Sequence, residues 1–301
     1  MIIGLYGFIL AAAIALGVFA LNKTVKPGAF ARRTVTLLAV LGVLLGALCA
    51  RLYYHAANNM VYGMGFEGYM PLSLYPYEYA MCGALLGVLL AAVLTAKMTR
   101  QSALRLLDAL APAALLALCV ARVGEHFSDF GWGLAMENAG LQRFPFAAQD
   151  MFGQWHWAVY MLEAAFALIL CLLVQRVRCG MPGDRFLTAL LWWSASQVLC
   201  ESLRAETIRW GFVRVQQLQC AIFMLAVLIA FAVRAARRGE KKKLPGAFAA
   251  FVLGVGVVVL MEYAIDKWDL AIALCYAIMT AALLVMGVSI QRVRPKLLPE
   301  D

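Results

Sequence analysis

The stretch Leu118 to Gly133, LCVARVGEHFSDFGWG, passes from an apolar helix into a polar loop. The apolar run closes on Arg122 and Gly124. Glu125, His126, Ser128 and Asp129 follow before Trp132 and Gly133. An arginine that ends an apolar helix beside titratable groups is either an anchor snorkelling to the interface or part of a polar site facing lipid head groups. The sequence on either side has to choose between them.

Long apolar segments flank this loop in both directions. The 301 residues are 64% hydrophobic and 14% charged, with a mean hydropathy of +0.81. Soluble domains run at roughly 45–50% apolar and about 25% charged. Here apolar stretches of about 20 residues recur, each able to cross a hydrocarbon core about 30 Å thick. The composition indicates an all-α polytopic membrane protein. The net charge of +9 is clustered between apolar runs. That is the pattern of topology-setting loops, so no nucleic-acid partner is expected. The eight cysteines are scattered, mostly inside apolar runs, without a CxxC pair. They read as small buried hydrophobes rather than a disulfide framework or zinc site. No P-loop, HExxH or GxSxG motif occurs, and neither cofactor nor metal is expected. The run Ile2 to Leu21 has no positive segment before it and reads as a first span rather than a signal peptide.

Nine spans are expected, near 2–21, 34–53, 78–96, 104–122, 155–175, 186–204, 215–233, 246–265 and 269–290. Cations concentrate in alternate connections. One holds Lys23, Lys26, Arg32 and Arg33, the next Lys97, Arg100 and Arg105, and a third Arg176, Arg178 and Arg185. The run Arg234 to Lys243 and the tail with Arg292, Arg294 and Lys296 complete the series, whereas 54–77 has no Lys or Arg and 123–154 has only Arg143. This puts the amino terminus outside and the carboxyl terminus in the cytoplasm. Arg209 and Arg214, in 205–214, dilute the pattern.

Segment 54–77 carries Tyr54, Tyr62, Phe66, Tyr69, Tyr75 and Tyr77 and reads as an arm lying in the head-group layer. Segment 123–154 carries Glu125, Asp129, Glu137 and Asp150 among Trp132, Phe144, Phe146 and Phe152, and reads as a small extracytoplasmic cap. The expected organisation is a seven-span core over 1–233 and a basic cytoplasmic linker over 234–245. An appended two-span hairpin over 246–290 and a cytoplasmic tail over 291–301 follow. The hairpin, with Glu262 as its mid-span charge, reads as a structural or partner-binding addition.

Charged side chains within spans are costly and are functional candidates by default. They are Arg51, Asp108, Arg122, Glu163, Glu201 and Arg204. Glu201 and Arg204, three apart, share a helix face and form either a self-satisfied ion pair or part of a site. Arg51, Arg122 and Arg204 fall near the outer ends of their spans. Guanidinium forks suit phosphate, so three of them beside external carboxylates outline a phospholipid head-group site. His126 is a candidate base, since histidine ordinarily titrates near neutral pH; His55 and His156 are weaker candidates. Gly42-x-x-x-Gly46 and Gly83-x-x-x-Gly87 offer close helix packing. A transporter would show paired inverted halves, and no such repeat is evident.

The order of short motifs adds a family resemblance. Leu5-Tyr6-Gly7 opens span one, Cys49-Ala-Arg-Leu-Tyr-Tyr54 closes span two, and Cys82-Gly-Ala-Leu-Leu-Gly87 starts span three. Leu106-Leu-Asp-Ala-Leu-Ala-Pro112, Ala121-Arg-Val-Gly124 through Trp132-Gly133, Glu201-Ser-Leu-Arg204 and Val215-Gln-Gln-Leu218 follow. Together they resemble the prolipoprotein diacylglyceryl transferase family over roughly residues 1–233. The resemblance implies a multi-pass enzyme of the bacterial cytoplasmic membrane, surrounded by membrane lipids. It would move the diacylglyceryl group of phosphatidylglycerol onto the lipobox cysteine thiol of a preprolipoprotein at the outer face, releasing glycerol phosphate. The family's phospholipid-holding arginine falls on Arg122 and its signature glycine on Gly133. Its span-six glutamate falls on Glu201, the following arginine on Arg204 and its early tyrosine on Tyr6. The expected site therefore has Arg122, Gly133, Tyr6 and Arg51 on the phospholipid, and Glu125, His126, Glu201 and Arg204 in catalysis. Arg122 and Arg204 would hold the phosphate, with Glu125 or His126 as base.

Three positions depart from the family pattern. Cys82 precedes Gly83-Ala84 where His or Tyr precedes Gly-Gly, Glu125 replaces the signature asparagine, and Gln197 stands for an arginine. With the extra hairpin, they keep open a catalytically altered or inactive relative that binds phospholipid or lipoprotein precursor as a scaffold.

Overall fold

Apolar backbone in lipid has no water to bond with, so each long apolar run satisfies its own N–H and C=O groups as a helix. The structure is a computed structural model that describes residues 2–24, 29–63, 78–128, 131–205, 207–211, 213–268 and 271–295. Among these residues nine long α-helices follow one another: α1 (Ile2–Thr24), α2 (Arg32–Tyr62), α3 (Met81–Thr99), α4 (Ala103–Gly124), α5 (Val159–Gln175), α6 (Asp184–Leu203), α7 (Val215–Arg237), α8 (Leu244–Lys267) and α9 (Ile272–Val293). Seven of them, α1 to α4 and α7 to α9, are long and apolar enough to cross a membrane. Helix α5 is apolar but has 17 residues, and α6 has 20 residues but includes Asp184, Arg185, Gln197 and Glu201. The chain is a multi-pass helical membrane protein.

Several expected boundaries move, each for a local reason. Residues 54–62, the first part of the expected arm, are the last turns of α2, which has 31 residues. Nothing in Tyr54–Tyr62 breaks a helix, and Gly63, at φ 64°, supplies the left-handed cap whose N–H bonds the Asn59 carbonyl. The rest of that arm, with Phe66, Tyr69, Tyr75 and Tyr77, lies outside the described residues, as do Lys26, Asp129 and Lys296. The fifth span starts at Val159, because Trp155–Trp157 forms a strand instead. Helix α6 ends at Leu203, and Arg204 has extended backbone at φ −73°, ψ 142°. The helical spacing expected to align Glu201 with Arg204 therefore does not extend to Arg204.

The chain divides into two compact units, Met1–Arg176 and Val177–Asp301. In the first, α2 packs on α3, α1 on α4, and α4 on α3 and α5. The α2–α3 contact is intimate because Gly83 lies against the backbone of Cys49 and Ala50, and Gly87 against Leu45 and Gly46. A Cβ at either glycine would collide with that backbone, whereas Gly42 faces open space and does not share the contact. The loop after α4 folds into a cap in which β1 (Ala147–Gln149) pairs antiparallel with β2 (Trp155–Trp157). Asp150 builds the turn between them by accepting from the N–H groups of Phe152 at 2.9 Å and Gln154 at 2.8 Å.

In the second unit α6 packs on α7 and α8 on α9, and the α8–α9 pair docks on both α6 and α7. Gly287 of α9 sits against Trp192 of α6, where an added Cβ would come within 2.9 Å of the indole ring. A two-residue hairpin, β3 (Arg209–Trp210) with β4 (Val213–Arg214), joins α6 to α7.

Candidate active site

In the first unit, α4 ends in the residues that the loop chemistry singles out. Arg122 is buried, and its Nη1 is ion-paired with Glu125 Oε1 one turn further on. Its Nε lies 2.6 Å from Glu163 Oε2, which α5 brings in from across the helix pair. Glu163 is 2% exposed, deeper than Glu125. Arg122 is thus not a snorkelling anchor. It is the cation of a buried group whose two carboxylates, both ionised, would leave one negative charge in excess. Buried charges persist only when paired in this way.

The loop is shaped around that group. Gly131 has φ 75°, and a Cβ there would strike Glu125 Oε2. Ser128 closes the turn, its N–H and Oγ both donating to the Glu125 carbonyl at 3.0 and 2.9 Å. Gly124 lets α4 approach α1: a Cβ there would come within 2.7 Å of Ile9 Cγ2, and Tyr6 Cδ2 lies just beyond at 3.7 Å. Tyr6 therefore stands beside the end of α4.

His126 is half-buried among the rings of Phe127, Phe144 and Tyr160, with centroids 5.2, 5.1 and 6.0 Å away. Its Nδ1 meets the Tyr160 hydroxyl at 2.8 Å. Gly133 is buried in the cap, where its N–H donates to the Trp157 carbonyl at 2.8 Å and its carbonyl faces His156 Nδ1 at 3.3 Å. His156 stacks on Trp132 at 5.4 Å and reaches Asp150 Oδ2 through Nε2 at 3.2 Å. Desolvation pushes the Asp150 carboxyl pKa up. The Gln154 N–H, His156 and the Phe152 N–H outweigh it and hold the carboxyl below its ordinary value. His156 thus fastens the cap.

Arg51 is also in the first unit. It is 1% exposed and ion-paired through Nη2 with Glu78, with the Tyr79 ring 5.9 Å away. His55 Nε2 lies 3.6 Å from the same Glu78 carboxylate. A snorkelling role for Arg51 is excluded by this burial. Asp108 is likewise buried within α4.

The second unit holds Glu201 and Arg204, at and just beyond the last turn of α6. Glu201 is buried. The group that organises this turn is Arg214, which from the sequence looks only like a blemish in the charge pattern. Its Nη1 donates to the carbonyls of Glu201 at 2.7 Å and Arg204 at 2.8 Å, and to Thr207 Oγ1 at 3.2 Å. Its Nε lies 3.7 Å from Glu262 Oε2. Burial pulls the Arg214 pKa down, and Glu262 pushes back against that shift. Gln217 donates to Glu262 Oε1 at 2.6 Å and to the Val198 carbonyl at 3.1 Å.

The sequence flagged Glu163 and Glu262 as costly mid-span charges, which is the signal that each has a partner, but not which one. Tyr160 gave no signal, and Gln217 stood out only as part of the Val215-Gln-Gln-Leu218 motif. Among the described residues no cluster of three or more His, Cys, Asp or Glu could hold a metal ion.

The prolipoprotein diacylglyceryl transferase family matches residues 1–233. The chain belongs to this family. A phosphatidylglycerol–prolipoprotein diacylglyceryl transferase of Bacillus cytotoxicus is 25% identical over 250 residues, covering 79% of this chain and 90% of the relative. Relatives of the same name from Listeria welshimeri and Clostridium novyi are 23% and 27% identical, over 70% and 60% of this chain and 78% and 72% of their own lengths. Of the three positions that depart from the pattern expected from the resemblance, Glu125 has a direct electrostatic consequence, because it pairs with Arg122. Cys82 is buried at the start of α3, and Gln197 accepts a hydrogen bond from Gln216 at 3.1 Å.

Proposed function

We propose that this chain transfers the diacylglyceryl group of phosphatidylglycerol to the lipobox cysteine thiol of a preprolipoprotein. The family match across residues 1–233 carries this reading. On this reading the protein sits in the bacterial cytoplasmic membrane with its amino terminus outside and its carboxyl terminus in the cytoplasm, an orientation supported by the clustering of cations in alternate connections. Chemistry occurs at the outer face, where the cation-poor cap belongs. The scaffold alternative is not favoured, since the named relatives are transferases.

The reaction forms a bond from sulfur to the glyceryl carbon and breaks the bond from that carbon to the phosphate oxygen. The thiol proton goes to a base, and glycerol phosphate leaves with the bonding electrons. Arg122 meets the phosphate, which competes with Glu125 and Glu163 for the guanidinium. A phosphate that displaces Glu125 from Arg122 frees a carboxylate next to the reacting thiol. Glu125 so released, or His126 through Nε2 while Tyr160 holds Nδ1, takes the proton. The thiolate then attacks while the cation holds the charge that builds on the leaving group. The resemblance assigns Tyr6, Gly133 and Arg51 to the lipid, and Glu201 and Arg204 to the same chemistry, Arg204 on the phosphate.

The test is direct. Purified protein, phosphatidylglycerol and a lipobox peptide should yield a peptide heavier by one diacylglyceryl group, with one glycerol phosphate released per peptide. No product, under conditions in which a relative lipidates the same peptide, would end the enzyme reading.

A further inference from the structure

The family match stops at residue 233, yet a side chain from beyond it is built into the end of α6. Glu262, on α8, is buried and spends both oxygens inward. One accepts from Gln217 at 2.6 Å, and the other faces Arg214 Nε at 3.7 Å. Arg214 in turn bonds the Glu201 and Arg204 carbonyls, and Gln217 bonds that of Val198. Tyr276, on α9, donates its hydroxyl to the Ser202 carbonyl at 3.1 Å. The last carbonyls of a helix have no partner within it. Here those of α6 are met by an arginine whose counter-charge, and by a tyrosine whose backbone, belong to the extension.

The far end of the extension is fastened too. Arg294, just past α9, donates to the Arg178 carbonyl at 2.8 Å and lies 3.8 Å from Asp184 Oδ2 at the start of α6. Asp184 also pairs with Arg234 of α7 at 2.8 Å. Between these points Gln291 reaches Thr188 Oγ1 at 3.3 Å, and Gly287 abuts Trp192. Both ends of α6 are therefore held by residues outside the family match. A hairpin that served only as a docking platform for another protein would have no need of Glu262 in its interior.

We infer that Glu262 is a positioning residue for the transferase site, fixing through Arg214 and Gln217 the last turn of α6 and with it Glu201 and Arg204. The inference rests on the reading of Glu201 and Arg204 as site residues. It means that in this chain the two extra helices are part of the catalytic unit.

The experiment compares full-length Glu262→Gln, Glu262→Asp and Glu201→Ala with the unaltered protein in the transfer assay. Rates are taken against phosphatidylglycerol and peptide concentration, together with thermal unfolding in detergent. Glu262→Gln keeps an acceptor for Gln217 and removes the charge opposite Arg214. Because small displacements remote from the chemistry cost rate steeply, kcat should fall about tenfold or more with KM for phosphatidylglycerol little changed. Any fall in the unfolding midpoint should leave the protein fully folded at the assay temperature, so that the rate loss exceeds what unfolding explains, and Glu262→Asp should recover much of the rate. Unaltered kcat in Glu262→Gln, or a loss of rate that only tracks a fall in unfolding midpoint, overturns the positioning role. Unaltered transfer by Glu201→Ala removes the end of α6 from the site, which is a failure of the underlying reading and is recognised by that variant alone.

Discussion

Two buried arginines, one in each unit, show how the same side chain is put to different use. Arg122 is wired to carboxylates, Glu125 from its own loop and Glu163 from α5. Arg214 is wired chiefly to oxygens that cannot leave: the carbonyls of Glu201 and Arg204, with Glu262 as counter-charge. A guanidinium held by carboxylates keeps partners that can swing away or take a proton, so a phosphate can replace them. A guanidinium held by helix-end carbonyls has its fork committed and acts as a fixture. Placement on a helix end does not separate the two. The chemistry of the partners does.

The sharpest way to break that comparison is Arg214→Met. It strands Glu262 and opens the end of α6, and removing one partner of a buried pair costs about 3–5 kcal/mol. A large drop in unfolding midpoint is expected, and an unchanged midpoint would put Arg214 outside the structural role. Arg122→Lys comes next. It keeps the charge but loses the planar fork, so transfer should fall about 100-fold or more, on the scale of losing one preorganised donor to a developing anion.

A third test probes the extension. Gly287→Val pushes a branched side chain into Trp192, and overpacking of this kind costs about 1–3 kcal/mol. A normal midpoint would mean that α9 does not dock on α6 as described. Glu125→Asn should have a smaller and opposite effect. Removing the acid beside Arg122 favours an anionic ligand, so KM for phosphatidylglycerol should fall by about threefold to tenfold. A raised KM would show that Glu125 contributes to binding instead of opposing it.

The smallest effect concerns the cap. The Asp150 carboxyl is held below its usual value, so its contribution to cap stability is present above the unfolded value near pH ~3.9 and is lost as pH falls through the lower folded value. Asp150→Asn should flatten that acid limb of a pH–stability curve.

Hydropathy located the helices because lipid forbids unpaired backbone, and cation placement picked the connections. What escaped was anything decided by partners. Tyr54–Tyr62 lack the apolar character of a span, and only the helix-permissive residues before Gly63 carry α2 onward. Trp155–Trp157 look like the start of a span, but pairing with Ala147–Gln149 claims them for the cap. Glu163 and Arg122 are separated by the whole cap, and sequence distance gives no hint that α4 and α5 bring them to 2.6 Å. Arg214 was hidden for the opposite reason. A cation in a loop is read as topology, and only the carbonyls at the end of α6 explain its place.

The central claim is that Arg122 holds a phosphate while Arg214 holds a helix. It is tested most directly by measuring unfolding midpoint and transfer rate on the same preparations of Arg122→Lys and the unaltered protein. The account predicts a midpoint close to that of the unaltered protein with transfer reduced about 100-fold or more. An Arg122→Lys protein that lipidates the peptide at the unaltered rate would contradict it.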